Sequence, residues 1–175
     1  MDIRAALEKE HSKKQSQLVA QYIGGNQERF DELMEVFLQE EEWRLTQRAA
    51  WVLSHCADKY IFLIQPHLPK LVEYLTKEGL HVAIRRNITR TLTKIDIPEE
   101  LMGLVADACF TFLANPKETV AVKAFSMEVL FQMCKKEPDL AHELIPLIEE
   151  NMEHNGTAGI LSKGRKILKK LKKAN

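Results

Sequence analysis

The chain has 175 residues, 45% hydrophobic and 29% charged, with 25 basic and 25 acidic side chains and no formal net charge. That length suits one domain or one short repeat array, and the apolar content suffices for a packed core and argues against disorder. Balanced charge sets up no global field toward nucleic acid or membrane, so local patterning carries the argument.

The helices follow in chain order from apolar spacing and from the turn signals between them. An N-terminal helix is predicted near 2–23, with a polar middle, His11-Ser12-Lys13-Lys14-Gln15-Ser16. Gly24-Gly25-Asn26 ends it. Helices near 26–39, 42–58, 64–78 and 80–95 come next, the last carrying Ile84, Ile88, Leu92 and Ile95 at helical spacing. Ile97-Pro98, Asn115-Pro116, Pro138-Asp139 and Asn155-Gly156 then bound helices near 98–114, 118–136, 139–154 and 157–173. No segment shows β-type alternation, so no sheet is expected. Tyr60-Ile61-Phe62-Leu63-Ile64 is too short an apolar run to cross a bilayer. Met1-Asp2-Ile3-Arg4 lacks the apolar core of a signal peptide. Cys56, Cys109 and Cys134 are odd in number, lack Cys-x-x-Cys spacing and read as buried thiols, all of which places the expected location in the cytoplasm.

A repeat organises these helices. Leu53, Leu92, Leu130 and Leu168 lie 39, 38 and 38 residues apart. The segments ending on them align, with an aliphatic first column of Leu45, Ile84, Val122 and Ile160. The fifth column is mostly small: Ala49, Ile88, Ser126 and Gly164. Leu33-Met34 and Leu71-Val72 keep the same register on the preceding helices, and Leu147-Ile148 follows. A period near 40 with two helices per unit marks a solenoid, because one helix pair cannot bury its apolar face alone.

On these residues the chain resembles the HEAT-repeat family over roughly 26–173. Its second helices carry an aliphatic-basic pair and then Leu, as Ile84-Arg85 with Leu92 and Val122-Lys123 with Leu130 do. Pro69 and Pro146 match the family's first-helix proline loosely. Thr46 and Leu161 replace the basic residue in the first and last units, and no Asp occupies the usual inter-helix position. The resemblance implies an all-α, right-handed α-α superhelix of about four helix pairs plus the N-terminal helix. It implies a single domain over 1–175, with the N-terminal helix in 1–25 and units at 26–60, 61–96, 97–136 and 137–175. It further implies that second helices line a concave face.

Charge separates between the two helix sets. The second-helix segments contain three acidic residues, Asp58, Asp96 and Glu128, against more than a dozen lysines and arginines. The first-helix segments are acidic, led by Glu28, Asp31, Glu32, Glu35, Glu40, Glu41 and Glu42. Such surfaces attract anionic partners or simply form solvated, ion-paired faces. On the second helix of the second unit, Arg86, Arg90 and Lys94 make an exposed stripe. Gln47, Trp51 and His55 occupy the equivalent positions one unit earlier, flanked by Arg44 and Arg48. Guanidinium groups fork onto carboxylate or phosphate, and Trp offers a stacking face. Arg44, Arg48, Trp51, His55, Arg86, Arg90 and Lys94 are therefore the candidate partner-binding residues, against the alternative that Trp51 packs between repeats and the arginines pair with acidic neighbours. The basic C-terminal helix, with Ile160, Leu161, Gly164, Ile167, Leu168 and Leu171 on one stripe, reads as a cap for the array.

Catalytic signatures fail on inspection. In His142-Glu143-Leu144-Ile145-Pro146, proline stands where a zinc-protease helix needs its second histidine. Glu78 and His81 have di-iron spacing, but Gly79 interrupts it and no second copy exists. No catalytic residue, metal or cofactor is expected. The expected role is a non-catalytic adaptor for a protein or acidic peptide. The alternative is a nucleic-acid-binding protein resembling the alkylpurine DNA glycosylases, whose essential Asp has no counterpart on the Trp-Arg stripe, since Asp58 and Asp96 fall at helix ends away from it.

Overall fold

The computed structural model describes residues 1–38, 43–154 and 156–174. Among the described residues the fold is all-α, with no strand. Glu40, Glu41 and Glu42 and the first residue of the Asn155-Gly156 turn lie outside the described residues. The helices are α1 (Ile3–Lys9), α2 (Lys13–Ile23), α3 (Gln27–Leu38), α4 (Trp43–Lys59), α5 (Leu68–Leu75), α6 (Val82–Leu92), α7 (Glu99–Ala114), α8 (Val120–Met133), α9 (Leu140–His154) and α10 (Ala158–Ala174). A 3₁₀ segment, Ile61–His67, precedes α5. The chain divides into two compact units, Met1–Ile95 and Asp96–Asn175.

In the first unit, the single helix expected over 2–23 is instead a helix pair. The polar stretch at its middle supplies the break. Ser12 adopts an extended conformation and its Oγ accepts from the Gln15 backbone N–H at 3.1 Å, starting α2 as a new helix. Gln15 Nε2 donates back to Ala6 O at 2.7 Å, tying the two helices together. Ile3 and Leu7 on α1 and Val19 and Ile23 on α2 are buried, so this pair has its own apolar face. Gly24 ends α2 at φ 53°, a left-handed conformation that costs a residue with a Cβ.

The second helices α2, α4 and α6 pack side by side, with α1 and α3 on α2 and α4, and α5 on α6. The span expected as one helix over 64–78 is divided because Pro66 lacks an N–H and disfavours α geometry at Gln65. Pro69 falls in the first turn of α5, where proline is tolerated. Gln27 Nε2 donates to Leu63 O at 3.2 Å, and His67 Nε2 lies 2.6 Å from Asp31 Oδ1, fixing the 3₁₀ segment on α3.

The second unit holds two pairs, α7–α8 and α9–α10, with α10 against both α8 and α9. Pro98 leads into α7, whose first turn carries Glu99 and Glu100 where the helix dipole favours anions. Across both units the aligned first column, Leu45, Ile84, Val122 and Ile160, is buried, as are Leu53, Leu92 and Leu130. Leu168 departs from this ladder and is half-buried, with Ile167 taking the fully buried place. Gly164 permits the close approach of α10 to α9: a Cβ there would stand 3.0 Å from Ile148 Cγ2 and 2.6 Å from Met152 Sδ.

Candidate binding surface

Helix α4 carries Trp51, His55 and Asp58 at i, i+4 and i+7, a spacing that keeps all three on one side of the helix. The Trp51 and His55 rings stack with centroids 6.2 Å apart, and His11, in the turn between α1 and α2, meets Trp51 edge-on at 5.6 Å. Asp58 receives two cations, Arg90 of α6 and Lys94 just past the end of that helix. Arg90 Nη2 donates to its two carboxylate oxygens at 3.0 Å each, and Lys94 Nζ pairs with Oδ1. Arg90 Nη1 also reaches the Ser54 hydroxyl and its carbonyl oxygen.

Sequence placed Asp58 away from the Trp-Arg stripe; in the structure it is the residue on which that stripe converges. Of the seven candidates, Arg90 and Lys94 pair with it, and His55 and Trp51, stacked on each other, lie on the same side of α4. Arg48 turns the other way, its Nη1 donating to Leu7 O at 2.7 Å and Glu8 O at 3.0 Å. There it satisfies carbonyls at the end of α1, where the dipole favours a cation. Arg44 is exposed, with its guanidinium carbon 5.4 Å from the Trp43 ring centroid. Arg86 is exposed on α6.

Between α2 and the end of α4 lies a cleft of about 410 Å³, lined by Gln17, Gln21, His55, Asp58, Lys59 and Tyr60. Burial pushes the His55 imidazole below its ordinary range, and Arg90, Lys13 and Lys59 push the same way, so the ring is held neutral. Its Nε2 is buried and lacks a hydrogen-bond partner among the described residues. Gln17 and Gln21 escaped sequence reasoning because nothing in a polar i, i+4 pair says which helix it will face.

A family profile described as a HEAT repeat domain matches residues 3–171. This chain belongs to the HEAT-repeat family. The match begins within α1, in keeping with α1–α2 being a helix pair rather than a lone helix. No curated protein matches the chain in sequence. Among solved structures, the crystal structure of an engineered protein, a structural genomics target, is similar with a TM-score of 0.61 at 13% identity. That likeness covers 98% of this chain and 79% of the other and bears on the fold alone.

The HEAT-type basic position acquires meaning at Lys123. Its side chain is buried, and Nζ donates to Asn151 Oδ1 on α9 at 2.6 Å. Asn151 Nδ2 in turn donates to Leu113 O at 3.0 Å and Leu147 O at 2.8 Å, joining α7, α8 and α9. An asparagine from the following pair thus supplies the acceptor that no Asp provides. Among the described residues no helix is long and apolar enough to cross a membrane, and no three His, Cys, Asp or Glu gather as metal ligands would.

Proposed function

We propose that this HEAT-repeat chain is a non-catalytic adaptor, one array of helix pairs that binds an acidic segment of a protein partner on the second-helix face of its first unit. The observation that carries the reading is the stacked Trp51–His55 pair, held on one side of α4 with Asp58 and its partners Arg90 and Lys94, together with the exposed Arg44 and Arg86. Aromatic and arginine side chains held rigid by their neighbours are the residue types that dominate binding energy at protein interfaces. A nucleic-acid backbone is the second reading, supported by the excess of cations on second helices. It is less well supported at this face, because Arg48, Arg90 and Lys94 already spend their donors inside the chain. That leaves few free cations to track successive phosphates.

The test is fluorescence anisotropy with a labelled Glu-rich peptide containing one aromatic residue, in parallel with single-stranded and duplex DNA, across a salt series. The expected result is peptide binding that falls about tenfold in Arg44→Glu/Arg86→Glu, two exposed side chains with no hydrogen bond or ion pair among the described residues. DNA binding with a log-linear salt slope near −0.7 to −0.9 per phosphate, and no peptide binding, would replace this reading with the second.

A further inference from the structure

We propose that the α2–α4 cleft is a binding site for a phosphate monoester, held by the Lys59 ammonium and the side-chain amides of Gln17 and Gln21, with the His55 imidazole in the wall behind them. The inference deepens the proposed capture of an acidic segment, and rests on it only for where the phosphoryl group comes from: a phosphorylated side chain of a partner, or a free small ester.

Three observations lead to it. The cleft, at about 410 Å³, lies in the size range of small-molecule sites and exceeds what one carboxylate needs. Its charge is one-sided. Lys59 and Asp58 lie in its lining, and Lys13 of α2 and Arg90 of α6 act on His55 from the packed helices. Lys94 adds a further cation on Asp58. The single carboxylate at the cleft is shared by Arg90 and Lys94, so it offers little to an incoming ammonium and leaves a net positive wall. Finally, His55 lines the cleft with its Nε2 buried and without a partner among the described residues, so the ring feels the charge of whatever enters.

The chemistry of the ligand follows from that imbalance. A carboxylate or sulfate ester brings one negative charge. A phosphate monoester brings about −1.5 to −2 near neutral pH and three strong acceptor oxygens. A sulfate ester has as many terminal oxygens but one charge, so only the phosphate monoester both accepts from an ammonium and the amides and balances several surrounding cations. Its arrival reverses the field at His55. The cations that hold the ring neutral are then offset by an anion in the cleft, so the imidazole takes up a proton on binding.

The experiment follows His55 directly by NMR of the imidazole nitrogens in ¹⁵N-labelled protein. Phenyl phosphate, phenyl sulfate and benzoate are titrated separately near neutral pH. Saturable shifts of His55 with phenyl phosphate are expected, with its pKa rising by about one unit and with much weaker responses to the two monoanions. Lys59→Gln, at an exposed side chain, should keep the helical spectrum and weaken phenyl phosphate about tenfold. His55→Gln should bind without proton uptake. No saturable shift with phenyl phosphate, equal response to all three anions, or undiminished binding in Lys59→Gln would each overturn the site. A phosphoserine peptide and its unphosphorylated Glu counterpart separate the sources. Tighter binding of the phosphopeptide assigns the group to a partner protein. Phenyl phosphate binding with neither peptide bound keeps the site, assigns it to a free ester and removes the adaptor reading at this face. Glu-peptide binding without any phosphate response does the reverse.

Discussion

Replacing Asn151 by alanine should destabilise the protein by about 2–4 kcal/mol, although the residue touches no candidate binding group. Two losses combine. The Lys123 ammonium is buried and loses the acceptor 2.6 Å away, at a cost of about 1.5–3 kcal/mol for a hydrogen bond to a charged group. Leu113 O loses the donor at 3.0 Å, and a stranded buried carbonyl costs about 1–3 kcal/mol. A hollow of about 250 Å³ lined by Lys123, Glu150, Asn151 and His154 adjoins the site. Water entering there resolvates part of what is lost and holds the total toward the lower end. Urea denaturation followed by far-UV circular dichroism measures the change, with an unchanged m-value confirming that stability alone has moved. The companion variant is Lys123→Met/Asn151→Leu, which removes the buried charge together with its acceptor. It should recover the part of the loss that comes from the stranded ammonium, since two apolar side chains of similar size replace a buried polar pair at little net cost, while Leu113 O stays without its donor. An Asn151→Ala variant within about 0.5 kcal/mol of the parent would refute the reasoning. So would a double variant no more stable than the single one.

Further outcomes follow from the same packing. Leu92→Ala, at a side chain 1% exposed on α6, should cost about 2–5 kcal/mol by denaturant titration; a near-neutral result would put the Leu ladder out of register. Gly164→Ala should cost about 1–3 kcal/mol because its Cβ presses on Ile148 and Met152, and Met152→Ala in the same background should relieve part of that cost. Burial pushes the thiols of Cys56 and Cys109 up to about 12 and that of Cys134 in the same direction. A thiol-specific reagent at about pH 8 should therefore modify Cys56 and Cys109 only as fast as the protein opens, and rapid labelling of either in the folded state would contradict their packing.

Helical periodicity is a property of a dozen neighbouring residues, and so it was open to sequence. Ile84, Ile88, Leu92 and Ile95 repeat on one side of a helix whatever lies elsewhere in the chain, and all four are buried. The 38-residue recurrence of aliphatic first positions likewise required pairs of helices stacked on their neighbours, and the family match agrees. The i, i+4, i+7 relation of Trp51, His55 and Asp58 was equally available, and it is what makes Asp58 part of the stripe rather than a helix-end bystander. What periodicity does not encode is which partner a long polar side chain finds. Arg48 reaches a carbonyl 41 residues away, and Arg90 a carboxylate 32 residues away. From sequence both are equally good surface cations. Only the packing of α1 and α2 onto α4 sends the first to cap a helix and opens the cleft at His55, and only the packing of α6 beside α4 brings the second to Asp58. Those choices depend on the positions of whole helices, because a charged side chain is satisfied by whatever polar atom tertiary structure brings within hydrogen-bond distance.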